Sequence, residues 1–206
     1  MKTVFYLIRH ASHGHLGKVL TGRAEGVPLS AKGLEEARAL ARQMKGRGLD
    51  ALYASPRLRV QQTAELIGRE TGALIRVADE LDEIDFGRWS GRSFRDLARD
   101  PEWQRWNDER DSAETPAGET MADVAARFTG LIERLLQNFP GGKVALVGHS
   151  DVIKAGICHY LKMPFSNVHE LEVAPASITT LAVDRRGAIL LGLNTNLEPV
   201  EAGACA

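Results

Sequence analysis

The sequence predicts a three-layer α/β/α sandwich built on a mostly parallel sheet, with a small inserted cap. Three observations predict it. Val4–Ile8 and Val144–Val147 are short apolar runs with no charged interruption, the pattern of strands buried on both faces. Strand-like and helix-like segments alternate along most of the chain, which implies crossover connections and helices on both sides of one sheet. Both apolar runs also stop abruptly at polar residues, Arg9-His10 and Gly148-His149-Ser150. Sheets of this kind bind ligands beyond the carboxyl ends of their strands.

Each element follows in order. After the first strand, His10–Gly26 is rich in Gly and His and reads as a loop. Ser30 caps a helix reaching about Arg47, with Leu34, Ala37, Leu40, Ala41 and Met44 on one face, and Gly46 and Gly48 stop it. Ala51–Ala54 is a short strand. Ser55-Pro56 then reads as an N-cap with a first-turn proline, opening a helix that turns Val60, Ala64 and Ile67 inward and ends at Gly72. Leu74–Ala78 is the third strand. From Asp79 to Ala117 the rhythm breaks into charge, tryptophan and short helical patterns around 93–98 and 102–109. That stretch is the expected cap over the sheet edge. Glu119–Phe139 is the longest helix, its face drawn by Met121, Val124, Ala125, Phe128, Leu131, Ile132 and Leu135. Lys143–Val147 is the fourth strand and Asp151–Leu161 a helix. Val168–Val173, Ile178–Val183 and Ala188–Leu193 read as closing strands, the last two paired through Asp184–Gly187. Residues 196–206 read as a loose tail.

Composition narrows the function classes. At 206 residues and 44% hydrophobic, the chain suits one domain spanning 1–206, with 79–117 as its cap. A net charge of -1 argues against nucleic acid as a partner. Two cysteines, Cys158 and Cys205, suggest neither a disulfide framework nor a zinc site. No apolar run reaches the length of a membrane span and no secretory leader is legible, so a cytoplasmic protein is expected. Oligomeric state stays open, a homodimer being one option.

Four elements should converge on one sheet edge. Arg9 and His10 leave the first strand, His149 leaves the fourth, and Arg59 sits in the opening turn of a helix, where backbone amides favour an anion. Two guanidinium groups can chelate a tetrahedral oxyanion through paired charged hydrogen bonds. Two imidazoles can supply a nucleophile and a neighbour that stabilises charge. The set suits phosphate.

These residues lie in a series of motifs. They are Leu7-Ile8-Arg9-His10-Ala11, Thr21-Gly22-Arg23 followed by 28–33, Ser55-Pro56 through Arg59 to Gln62-Thr63-Ala64, and Leu81-Asp82-Glu83-Ile84-Asp85-Phe86-Gly87. Trp89-Ser90-Gly91, Pro116-Ala117-Gly118-Glu119 and Val147-Gly148-His149-Ser150 complete them. In this order they resemble the histidine phosphatase superfamily, of phosphoglycerate-mutase-like fold, over most of the chain. The resemblance implies that His10 becomes phosphohistidine and that Arg9, Arg59 and His149 hold the phosphoryl oxygens. It makes Glu83 the proton donor to the leaving alkoxide, ahead of Asp82 and Asp85. His10 must then be neutral, with one ring nitrogen fixed by a backbone acceptor. Glu83 must be protonated near neutral pH, through burial or nearby negative charge. With cations supplied by side chains, neither a metal nor a cofactor is required.

One departure stands out: the family usually has glycine where this chain has Ala11. If that position needs positive φ, the methyl group strains the loop. Thr21, Gly22 and Arg23 follow the nucleophile as candidate contacts to phosphate or to the substrate body, or as a simple turn. His13 and His15 read as solvated loop histidines or substrate contacts rather than metal ligands, and His159 and His169 as ordinary residues. Arg57 reads as a solvated helix residue, and Trp103 and Trp106 as packing for the cap. The macrodipole alone accounts for Glu119. Arg88, Arg92 and Arg95 read as a solvated charged face.

The expected activity is therefore metal-independent hydrolysis of a small phosphorylated metabolite through phosphohistidine. Two alternatives use the same residues: phosphoglycerate-mutase-type transfer, and a non-catalytic phospholigand-binding protein. The compact segment between Glu83 and His149 favours hydrolysis over the mutase.

Overall fold

The computed structural model describes residues 1–195; the tail at 196–206, with Cys205, lies outside them. In chain order the elements are β1 (Thr3–Arg9), α1 (Ala31–Met44), β2 (Ala51–Ala54), α2 (Leu58–Thr71), β3 (Ile75–Val77), α3 (Phe94–Leu97), α4 (Pro101–Asp108), α5 (Met121–Asn138), β4 (Lys143–Gly148), α6 (Ser150–Leu161), β5 (Ile178–Asp184) and β6 (Gly187–Thr195). The strands form one sheet in the order β3-β2-β4-β1-β5-β6. The β3–β2, β2–β4 and β4–β1 pairings are parallel; β5 runs antiparallel to both β1 and β6. The sheet is mostly parallel, as expected.

Strand periodicity distributes the core. Successive side chains of a strand point to opposite faces. Phe5 and Leu7 of β1, with Val144 and Leu146 of β4, join the apolar cluster under α5 and α6. Tyr6, Ile8, Ala145 and Val147 enter the cluster under α1 and α2. The result is three layers. The fully buried Trp89 and Trp106 of the 79–117 segment join the α5/α6 cluster, and Trp103 packs its ring on Phe86, Trp89 and Phe94. Trp103 and Trp106 are packing residues, as read, and Trp89 packs with them.

Three expectations need correction. The segment 168–173 is not a strand: a 3-10 turn covers Phe165–Glu170. Its buried residues are Val168, Leu171 and Val173, a spacing no single sheet face can serve. Helix α1 ends at Met44 rather than near Arg47, because Gly46 turns left-handed at φ 76°. Helix α2 starts at Leu58, with Arg57 as its N-cap residue, not at Ser55-Pro56. The Ser55 hydroxyl accepts the Arg57 amide (3.3 Å) and also engages Asp82 and His149.

The amino end of α1 grips the loop that follows β1. Ser30 caps the helix through Gly33 N (3.1 Å), and its backbone amide donates to Ser12 O (3.0 Å). Glu36, one turn further, accepts from the Ser12 amide (2.8 Å) and hydroxyl (3.0 Å). Gly33 makes this approach feasible, since a Cβ there would fall 1.8 Å from Ser12 O. Gly33→Ala is expected to destabilise the fold by about 1–3 kcal/mol, as overpacking against backbone does. Thermal unfolding checks it: an unchanged melting temperature would contradict this packing.

Candidate active site

The parallel pairing of β1 with β4 puts Arg9 beside Gly148, so the next residues of both strands emerge together. The His10 amide donates to Gly148 O (3.0 Å), and the His10 and His149 ring centroids lie 5.2 Å apart at a steep angle. Strand β2 lies on the other side of β4 and delivers Ser55, whose amide donates to Val147 O (3.0 Å). Arg59, second residue of α2, then reaches both rings. Its Nε lies 3.4 Å from His10 Nε2, and its Nη2 donates to His149 Nδ1 (3.2 Å) and to Gly22 O (2.7 Å). Arg9 donates from Nη1 to Val173 O (2.6 Å). Buried Arg9 Nε and Arg59 Nη1 have no hydrogen-bond partner among the described residues. Such donors suit an incoming anion.

Hydrogen bonds assign the imidazole tautomers. His10 Nδ1 lies 2.8 Å from Ala11 O, a carbonyl that can only accept, so Nδ1 carries the proton and Nε2 keeps its lone pair. Burial, followed by the Arg59 charge, drives the His10 pKa well below its ordinary value, so the ring is neutral near pH 7. His149 is also lowered well below the usual range, by burial first and then Arg59. Its Nδ1 accepts from Arg59, so Nε2 donates to Ser55 Oγ (3.0 Å), which in turn donates to Asp82 Oδ1 (3.2 Å).

The two adjacent carboxyls have different environments. Asp82 pairs with Arg57 Nη2 at 3.0 Å and with Arg23 Nε at 3.7 Å, and it accepts the Glu83 amide at 2.9 Å. Its negative charge is matched by these cations. Glu83 Oε2 instead lies 3.7 Å from His149 Nδ1, and its pKa is pushed up to about 7 by burial, with the Asp151 charge acting in the same direction. One carboxyl is held as a scaffold and its neighbour is poised to carry a proton, a division set by surroundings rather than residue type. Asp85 accepts from Gly87 N (3.0 Å) and faces Arg23.

A clamp that sequence reasoning missed fixes the acid loop. Arg127 of α5 donates to Glu80 O (2.8 Å), Asp82 O (2.6 Å) and Glu119 Oε1 (2.9 Å). Glu119 also accepts from Asp85 N (2.6 Å) and pairs with Arg23, whose Nε donates to Glu83 O (2.7 Å). Glu119 therefore ties the acid loop to two arginines, which corrects the macrodipole reading. Arg57 is likewise no solvated residue. Gly22 aims Arg59 and Arg23 braces the Glu83 backbone, while the Thr21 hydroxyl makes a long contact to Val19 O (3.4 Å) and its carbonyl accepts from Ala24 N (3.0 Å) in a turn.

Ala11 resolves without strain. It is not among the residues in the left-handed region, and its methyl group packs with Leu29 and Ala37. Its amide donates to Thr63 Oγ1 (3.2 Å), which itself donates to Arg59 O (2.8 Å).

A family model described as the histidine phosphatase superfamily, branch 1, matches residues 5–196. The chain belongs to that superfamily. It is 29% identical to phosphoserine phosphatase 1 of Hydrogenobacter thermophilus over 84% of either chain. It is 26% identical to the adenosylcobalamin/alpha-ribazole phosphatase of Escherichia coli, over 95% of this chain and 98% of that one. Among solved structures, a mycobacterial glucosyl-3-phosphoglycerate phosphatase superposes with a TM-score of 0.86 at 27% identity, covering 95% of this chain and 100% of its own. Like the superposed phosphatase, the chain carries an α/β fold, here on a six-stranded, mostly parallel sheet.

A groove of about 580 Å³ lies beside Arg9, lined by Ser150, Lys154, Leu171, Val173 and Pro175 among others. A larger depression of about 1160 Å³ lies at the amino end of β1, by Met1, Arg185 and Arg186. Neither is lined by His10, Arg59, Glu83 or His149. No helix among the described residues is long and apolar enough to cross a membrane.

Proposed function

We propose that the protein hydrolyses phosphomonoesters of small metabolites through a phosphohistidine at His10. The observation that carries this reading is the buried, neutral His10 ring: Nδ1 is pinned by Ala11 O, and Nε2 faces Arg59. In the first step His10 Nε2 attacks phosphorus and the ester P–O bond breaks. Glu83 gives its proton to the departing alkoxide. In the second step water attacks the phosphohistidine, Glu83 takes the water proton, and the P–N bond breaks to return the lone pair to His10. Arg9 and Arg59 balance charge on the phosphoryl oxygens, with His149 and Gly22 holding Arg59 in place and Arg23 supporting the Glu83 backbone. Residues 79–117 serve as the cap that selects the rest of the substrate.

A screen of phosphorylated metabolites for phosphate release, with EDTA present throughout, tests the proposal. Sugar phosphates, phosphoserine and nucleotide-derived esters belong in the panel. Turnover is expected to survive the chelator, because the Arg9 and Arg59 guanidinium groups supply the positive charge. Rapid interconversion of 3-phosphoglycerate primed with bisphosphate, with little free phosphate, would establish the mutase instead. Tight phosphate binding without release from any ester would establish a binding protein.

A further inference from the structure

We propose that His13 is a third imidazole of the phosphoryl pocket, donating a hydrogen bond to an oxygen of the group transferred to His10. The inference rests on the hydrolase reading above and adds a ligand to the same site. The His13 ring centroid lies 5.4 Å from that of His10, nearly the spacing of His149 on the same ring. Only 7% of His13 is exposed, which corrects the reading of a solvated loop residue. Its Nδ1 is buried and has no hydrogen-bond partner among the described residues. An imidazole nitrogen in that condition costs free energy unless a bound group completes it.

The surroundings specify what that group is. Burial, with Arg59, His15 and Arg9 acting in the same direction, lowers the His13 pKa to about 4, so the ring is neutral near pH 7. The charges that disfavour a proton on His13, Arg59 foremost, include both guanidinium groups the proposed phosphate would bridge. An anion between them and His13 is drawn by both arginines and can accept the imidazole N–H. His15 stands differently: it is exposed, and its ring touches His13 at 6.2 Å on the side of bulk solvent. Among the described residues no group of three or more His, Cys, Asp or Glu side chains could hold a metal ion together.

The test measures inorganic phosphate binding by calorimetry and p-nitrophenyl phosphate turnover, using the full chain and its His13→Leu, His13→Gln and His15→Gln variants. His13→Leu is expected to weaken phosphate binding and lower kcat/KM by about tenfold to a hundredfold, the range for a hydrogen bond to a charged partner. His13→Gln, which keeps an N–H, should recover most of the loss, and His15→Gln should stay within about twofold of wild type. Phosphate affinity in His13→Leu within twofold of wild type would overturn the proposal. So would a His13→Gln variant that melts like wild type yet binds phosphate as poorly as His13→Leu. A wild-type protein that binds phosphate but hydrolyses no ester would sink the hydrolase reading alone, since the binding comparison still decides the role of His13.

Discussion

His10→Ala is expected to reduce turnover by about 10⁶-fold, to the level of the buffer, the loss typical when a covalent nucleophile is removed. The size follows from the site. His149 is not placed to replace the Nε2 lone pair, because its Nδ1 already accepts from Arg59 and its Nε2 is bound to Ser55. The pocket itself should survive, since Arg59 keeps Gly22 O and His149 as partners. The variant should therefore still bind substrate while failing to convert it. Rapid quench of wild type with labelled substrate should trap an acid-labile phosphoprotein that His10→Ala does not form. Residual turnover in that variant above about one part in a thousand would remove His10 from the mechanism.

Glu83→Gln should lower kcat by about 10²–10⁴-fold on alkyl phosphates, the usual contribution of a placed general acid. The loss should be much smaller with p-nitrophenyl phosphate, whose leaving group departs without a proton. The pH dependence has a definite sign. A carboxyl raised to about 7 is protonated below that pH and gives up its proton above it. Alkyl phosphate turnover should accordingly fall as pH rises through about 7, and Glu83→Gln should lack that alkaline limb. An identical limb in the variant would assign the titration to another group. Asp82 is a poor substitute, because its carboxylate oxygens are already engaged by Arg57, Arg23, Ser55 and the Glu83 amide.

Legibility in the sequence followed the range of the interactions. Strands β1 and β4 were readable because burial on both faces leaves a continuous apolar run, and their polar ends located His10 and His149. Arg59 was readable because a helix start next to a strand end is a local pattern. Arg57 was misread because its partner Asp82 comes from a different loop, and nothing in the neighbourhood of a helix-opening arginine announces a distant carboxylate. Arg127 lay hidden for the same reason, on the polar side of an amphipathic helix. The 168–173 segment misled because Val168, Leu171 and Val173 stand among polar residues, although positions 168 and 171 fall on opposite faces of a strand. There Val173 offers its carbonyl to Arg9 rather than to a neighbouring strand. Ser55 sits before a proline at a helix start, so local capping rules claimed a hydroxyl that the tertiary structure uses on His149.

The Arg23–Glu119–Arg127 clamp has a consequence for divergence. The backbone of the acid loop is moored to α5 and to the turn after β1, whereas the outer parts of residues 88–102 are joined by pairs such as Arg88–Glu102 and Arg92–Asp100. Mutations that reshape that outer surface leave the proton donor where it is. A lineage can exchange one phosphorylated metabolite for another by drift in a peripheral region, with no need to rediscover the chemistry each time.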